Sequence, residues 1–308
     1  MNKKKLLANL GLLLAALLWG STFVAQSAGA ELVETFTYQS IRSFIGGAVL
    51  LPVIFIRDRA AKKRPDNTKP TKKDKKLLLI AGICCGVVLT VAACLQQYGI
   101  KFTTVGKSGF ITSLYVIFVP IAGLIFKKRV RPVIWVSVLL AAVGMYLLCM
   151  TESFSLSLGD TYVLICALCF TAHIMVIDHF DQYCDPVKMS CIQFFTSGVI
   201  AGILMFIFEK PDINNILAAW LPICYAGVLS SGVAYTLQVV CQKNTEPAVA
   251  SLLMSLESVF AVISGAVILS QIPTPRETLG CVIMFAAIIL AELPPIKFSL
   301  KQRDKNNV

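Results

Sequence analysis

The chain has 308 residues, 56% of them hydrophobic and only 15% charged, with a mean hydropathy of +0.76 and a net charge of +11. So little charge cannot cover the surface of a soluble domain, which excludes that class and leaves a polytopic membrane protein with short polar connections. The positive balance does not point to nucleic acid, because the basic residues sit in alternating connections between apolar stretches.

Ten apolar stretches each approach the ~20 residues with which a helix crosses ~30 Å of hydrocarbon. They run over 6–28, 36–56, 77–98, 105–126, 132–150, 159–177, 189–208, 217–240, 247–270 and 277–296. Helices are expected throughout, because an open strand edge leaves backbone groups unsatisfied in lipid. The expected fold class is all-α integral membrane, with ten transmembrane helices.

The first stretch follows Lys3-Lys4-Lys5 and carries Trp19, Ser21 and Thr22 late in its length. Its leucine run and the small residues Ser27-Ala28-Gly29-Ala30 also fit a cleaved secretory signal. Retention is expected, because Ala16-Leu17 and Trp19 match Ala167-Leu168 and Phe170 at an offset of 151, so this stretch has a partner in the sixth. Trp19 suits stacking on a substrate ring or quaternary amine, or plain interior packing. In the second stretch, Arg42 is the only Lys or Arg lying well inside a span, Lys107 falling at the edge of the fourth. Its planar fork fits a carboxylate, and snorkelling to the interface is the structural alternative. The connection 57–76 holds ten Lys/Arg with Pro65 and Pro70 and reads as a disordered loop that sets topology.

In the third stretch Gln96 and Gln97 join Thr90, Ala93 and Cys94 in a small or polar stripe, which faces other helices or a cavity. Tyr115 lies within the fourth. Cys166-x-x-Cys169 in the sixth has a redox spacing but lies mid-span, where cysteine packs as a small hydrophobe. His173, late in the sixth, is a proton relay or a hydrogen-bonded helix contact. Ser231, Tyr235, Gln238 and Gln242 form a second polar stripe in the eighth. Glu257 lies about ten residues into the ninth, about 15 Å deep, and is the one acid placed near the midplane. A carboxylate at that depth faces the bundle interior or water. It reads as a proton-coupling site, as a counter-ion for a cationic group, or as a protonated group bonded to a neighbouring Ser or to backbone.

The halves repeat. At an offset of 142, Ala92, Leu95, Gln96, Lys101 and Thr103 meet Ala234, Leu237, Gln238, Lys243 and Thr245, and Ser113-Leu114 meets Ser255-Leu256. Arg42 falls opposite Gln193 at 151, and Tyr115 opposite Glu257 at 142. Two five-helix units follow, 1–150 and 151–298, with a tail over 299–308. Five is odd, so the second unit enters the membrane from the other side, giving two inverted repeats around a midplane site. The Lys/Arg bias places both termini in the cytoplasm.

The segment Leu17-Leu18-Trp19-Gly20-Ser21-Thr22-Phe23, the Arg42-Ser43-Phe44 of the second span and the run Gly109-Phe110-Ile111-Thr112-Ser113-Leu114-Tyr115 through Pro120 resemble the drug/metabolite transporter superfamily, EamA type. The resemblance covers nearly the whole chain. It implies a bacterial inner-membrane carrier, a cavity lined by spans one to four and six to nine, and export of amino acids or related metabolites.

The expected function is therefore secondary transport of a small polar metabolite by alternating access. Glu257, Tyr115, Trp19, Gln96, Gln97, Ser231, Tyr235, Gln238, His173 and Arg42 are the candidate cavity residues. No catalytic constellation or metal motif is present in the sequence, and no cofactor is expected. The expected partners are a small-molecule substrate, the lipid bilayer and a coupling proton or cation, with no nucleic acid, in a monomer or homodimer. Uptake of a small cationic nutrient such as a choline-like amine is the alternative. A non-transporting membrane enzyme or scaffold is a more distant one.

Overall fold

The computed structural model describes residues 3–62, 71–103, 105–128, 130–149, 157–269 and 273–293. The boundary between the two expected units at 150 and 151, and the tail 299–308, lie outside them. Helices are the only regular elements among the described residues. In chain order these are α1 (Lys3–Leu32), α2 (Thr35–Lys62), α3 (Lys72–Ile100), α4 (Val105–Ser113), α5 (Tyr115–Ile125), α6 (Pro132–Cys149), α7 (Leu158–Phe180) and α8 (Pro186–Phe208). Two short helices follow, α9 (Ile213–Ala218) and α10 (Trp220–Tyr225). A π-helical stretch, Ala226–Tyr235, then leads into α11 (Thr236–Gln242), α12 (Pro247–Met254), α13 (Glu257–Leu269) and α14 (Pro275–Glu292).

Eight helical stretches among the described residues are long and apolar enough to cross a membrane. They correspond to the expected spans one to four and six to nine. The other two fall short of that measure. The fifth offers only Pro132–Leu148 as an apolar helix, and the tenth opens on Arg276 and Glu277 and closes on Glu292.

The charged connection 57–76 is more ordered than its composition suggests. α2 runs on to Lys62 and α3 begins at Lys72, so both helices project past the apolar length. Residues 63–70 lie outside the described residues. α3 starts on a reciprocal cap, in which Asp74 N–H donates to Thr71 Oγ1 and Thr71 N–H to the Asp74 carboxylate. Ser157 with Asp160 and Thr274 with Glu277 cap α7 and α14 the same way. Each such cap contributes about 1 kcal/mol by satisfying helix N–H groups that have no partner in the helix.

The packing partners are preserved when each span is exchanged for its counterpart in the other half. The first span packs on the eighth and ninth, and the sixth on the third and fourth. The second packs on the seventh and eighth, and the seventh on the second and third. The fifth and tenth pack on each other. They cross at Gly144 and Gly280, where a Cβ on Gly144 would lie 2.9 Å from the Gly280 carbonyl oxygen and one on Gly280 2.6 Å from the Gly144 oxygen. Small residues at such crossings let backbones approach without a side chain between them.

The charged side chains gather at two opposite ends of the bundle. At one end Lys101 Nζ meets Glu34 at 2.6 Å, and Glu209 accepts from the N–H groups of Phe36 and Thr37 at 2.7 and 2.8 Å. At the other, Arg57 meets Asp185 at 3.0 Å, Lys188 meets Asp58 at 2.8 Å, and Lys5 meets Glu292 at 3.3 Å. Lys128 pairs with Asp178 at that same end, and Lys243 lies close enough to Asp181 to act on its charge. Lys101 and Lys243, equivalent in the repeat, therefore stand at opposite ends.

Candidate functional site

Spans four and nine are broken at equivalent places. The fourth divides at Leu114 and the ninth at Ser255-Leu256, the positions that the 142-residue offset aligns. Leu114 N–H bonds the Ile111 carbonyl at 3.2 Å and Leu256 N–H that of Leu253 at 3.4 Å, tighter turns than an α-helix makes. In the ninth, Ser251 and Ser255 donate their hydroxyls back to the carbonyls of Ala248 and Leu252 at 2.9 and 2.8 Å. Such local bonds compete with the helix ladder and bend it. The two breaks touch each other. Tyr115 Oη donates to Glu257 Oε1 at 3.1 Å, Ser113 Oγ to the same oxygen at 3.2 Å, and the hydroxyls of Ser113 and Ser258 are 3.0 Å apart. Glu257 also opens α13, at the positive end of that helix dipole.

Beside this contact lies a cavity of about 40 Å³. Its lining is largely made of repeat pairs: Trp19 with Phe170, Phe23 with Ile174, Gln96 with Gln238, Thr112 with Met254, and Tyr115 with Glu257. The space therefore lies between the two halves. Gln26, Arg42, Ser230 and Tyr235 complete the wall. The charges break the symmetry: Gln193 holds the place equivalent to Arg42, and Tyr115 the place equivalent to Glu257.

Several buried polar atoms on this wall have no protein partner. They are Trp19 Nε1, Arg42 Nε and Nη1, and Gln238 Oε1. A buried donor or acceptor left unmade costs about 1–3 kcal/mol, so these groups call for water or ligand. Arg42 also lies 5.9 Å from the Tyr38 ring centre and close to the Tyr235 side chain. Toward the Lys101 end the amides interlock: Gln26 Nε2 lies 3.4 Å from the side-chain oxygens of both Gln96 and Gln97, and Gln96 Nε2 donates to Thr112 Oγ1 at 3.2 Å.

Seven of the ten residues singled out from the sequence line the cavity: Trp19, Arg42, Gln96, Tyr115, Tyr235, Gln238 and Glu257. Three stand behind it. Gln97 donates to the Gln26 carbonyl at 3.2 Å, and Ser231 packs against Gly46. His173 is fully buried with Nε2 3.1 Å from Gln193 Oε1 and its ring edge-on to Tyr235 at 6.0 Å. Tyr235 in turn stands edge-on to Trp19 at 4.7 Å. Gln26 and Phe23 escaped the sequence reading, although with Trp19 they share one helical face at spacings of four and three. Phe170 and Ile174 follow from carrying Trp19 and Phe23 across the 151-residue offset. Ser230 and Tyr235 sit in the π-helical stretch, a distortion frequent at functional sites.

Outside the membrane-spanning segments, burial pushes Asp181 up to about 6 against the opposing pull of Lys243 and Lys128. Burial also holds Lys128 below the usual lysine range.

The EamA-like transporter family model matches residues 6–150 and again 157–293. An uncharacterized transporter of Archaeoglobus fulgidus is 32% identical over 292 residues, covering 94% of this chain and 87% of the relative. The uncharacterized transporters YwfM and YoaV of Bacillus subtilis are 24% and 22% identical, covering 94% and 91% of this chain and 95% of each relative. A crystal structure with 17% identity superposes with a TM-score of 0.75, covering 92% of this chain and 96% of the other, and so shares the fold.

Proposed function

The chain belongs to the EamA-like transporter family, and we propose that it carries a small zwitterionic metabolite, an amino acid or a close relative, through the central cavity by alternating access. Membership makes it a multi-pass membrane protein and a transporter of small molecules, not an enzyme. The finer reading stands on one observation. The Arg42 guanidinium, two of whose nitrogens have no protein partner and which forms no ion pair among the described residues, and a carboxyl, Glu257, line the same space between the halves. A substrate carboxylate would take the fork of Arg42 and its ammonium would meet Glu257. Tyr115 and Ser113 hold that carboxyl in place, and Trp19, Phe170 and Ile174 offer apolar surface to the remainder.

About 40 Å³ leaves room for only a few waters at ~10–15 Å³ each, so a metabolite enters only when the halves move. The Lys101 and Lys243 ends would be the two mouths. The pairing of helices across the halves, and the position of those two lysines, support ten spans in two inverted repeats with α6 and α14 as the outer pair. The basic bias of the Lys243 end supports that end, with both termini, being cytoplasmic. Export follows the family resemblance, and Glu257 is the group that would exchange a coupling proton. Uptake of a choline-like amine is less well supported, because Arg42 would repel a cation in the same space.

Purified protein in liposomes, offered amino acids, amines and organic acids, tests this. Transport of a zwitterion that falls about 10- to 100-fold in both Arg42→Gln and Glu257→Gln is expected, the range of one lost charge-assisted bond. Transport of an amine that survives Arg42→Gln would favour the choline-like reading. Full zwitterion transport by Glu257→Gln would remove Glu257 from the site.

A further inference from the structure

Exchange of the halves also marks one place where their packing differs. Gly20 of α1 and Thr171 of α7 are counterparts at the 151-residue offset. At Gly20, α1 lies so close to α13 that a Cβ would sit 2.6 Å from the Glu257 carbonyl oxygen. The equivalent seam is α7 against α5, where Thr171 stands in place of the glycine and lines an open groove of about 680 Å³.

The groove faces outward. Leu168, Phe126 and Tyr183 on it are 50%, 65% and 68% exposed, and none of its lining residues lines the central cavity. It is graded along its length. Leu168, Ala172 and Met175 form an apolar wall within the span, and Lys128, Asp178, His179 and Tyr183 a polar rim at its end. Local backbone geometry sets that rim. α5 ends with Lys127 in the left-handed region, φ 58°, and Lys128 N–H returns to the Gly123 carbonyl at 2.8 Å. The reversal brings the Lys128 side chain to Asp178 across the seam.

We propose that this groove seats one membrane phospholipid of the leaflet on the Lys128 side. An acyl chain lies along Leu168, Ala172 and Met175, and the phosphate sits at Lys128 and His179. The apolar wall fits hydrocarbon, and the rim, where Lys128 is paired with Asp178 beside His179, offers N–H donors to the phosphate at the depth where headgroups lie. The lipid fills the seam that a glycine closes in the other half. This site does not depend on which solute the central cavity carries.

The full-length protein in detergent, stripped of lipid and titrated with phosphatidylglycerol or the matching diacylglycerol, is read by native mass spectrometry. The wild type is expected to bind one phospholipid more tightly than diacylglycerol. Ala172→Trp, which fills the groove, lowers phospholipid affinity at least about tenfold. Val199→Trp, exposed on α8 and outside the groove, leaves it unchanged. Lys128→Gln with His179→Gln, made together with Asp178→Asn so that no carboxylate is left unpaired in the rim, removes the preference over diacylglycerol without disturbing the apolar wall. Equal phospholipid binding by the wild type and Ala172→Trp, or no binding by the wild type, overturns the site. A preference that persists in that triple variant overturns the placement of the phosphate.

Discussion

Glu257 stood out in the sequence because it is an acid well inside an apolar span, and hydrocarbon tolerates such a group only where it faces protein or water. Arg42 stood out for the same reason. Gln26 did not, because a lone amide near a helix end has many structural uses and its role depends on what Gln96 and Gln97 bring to it from α3. His173 and Ser231 carried the right chemistry at the right depth, yet side-chain direction turns them away from the cavity. Depth is written in sequence position, whereas direction around a distorted helix is not. A titration at the residue scale concerns Asp181. Its folded value is raised to about 6, so the folded chain keeps a proton that the unfolded chain releases near ~4. The associated stability is present at low pH and is lost as pH rises from about 4 through about 6. Asp181→Asn is expected to flatten that segment of the melting-temperature profile. An unchanged slope would mean that Asp181 is not held above its ordinary value.

At the scale of elements, hydrophobic length located eight of the helices well, because crossing lipid demands long apolar stretches. It misjudged 57–62 and 71–76, where lysine-rich sequence continues two helices, and the reciprocal cap at Thr71 explains the start of the second. The breaks at Leu114 and Ser255-Leu256 were hidden, since serine and leucine are common in unbroken spans. Only the repeat alignment singled those dipeptides out. Close helix crossings carry a sharper expectation. Gly144→Leu places a side chain against the Gly280 carbonyl and the Met284 backbone nitrogen, 2.9 and 3.0 Å from the added Cβ. A loss of about 1–3 kcal/mol is expected, read as a lower melting temperature in detergent. Gly109→Ala, where a Cβ meets nothing within 4 Å, is the paired control and is expected to gain up to about 1 kcal/mol of helix propensity. Equal melting of the two variants would mean that the fifth and tenth spans do not cross at these glycines.

For the molecule as a whole, the repeat offsets 151 and 142 give the cavity its walls, and the two charges that break the repeat give it polarity. A symmetric pocket would treat both ends of a solute alike, whereas Arg42 and Glu257 would orient one. In the proposed inverted arrangement the halves would have two equivalent ways to close, one at the Lys101 end and one at the Lys243 end, and exchange between them would move the solute. Gln238 lines the cavity between those ends. The most direct measurement is therefore modification of Gln238→Cys by a membrane-impermeant thiol reagent, applied separately to each face of sealed vesicles, with the wild type as background for the native cysteines. Alternating access predicts modification from either face, slowed by the transported solute. Modification from one face alone, or from neither, would contradict it.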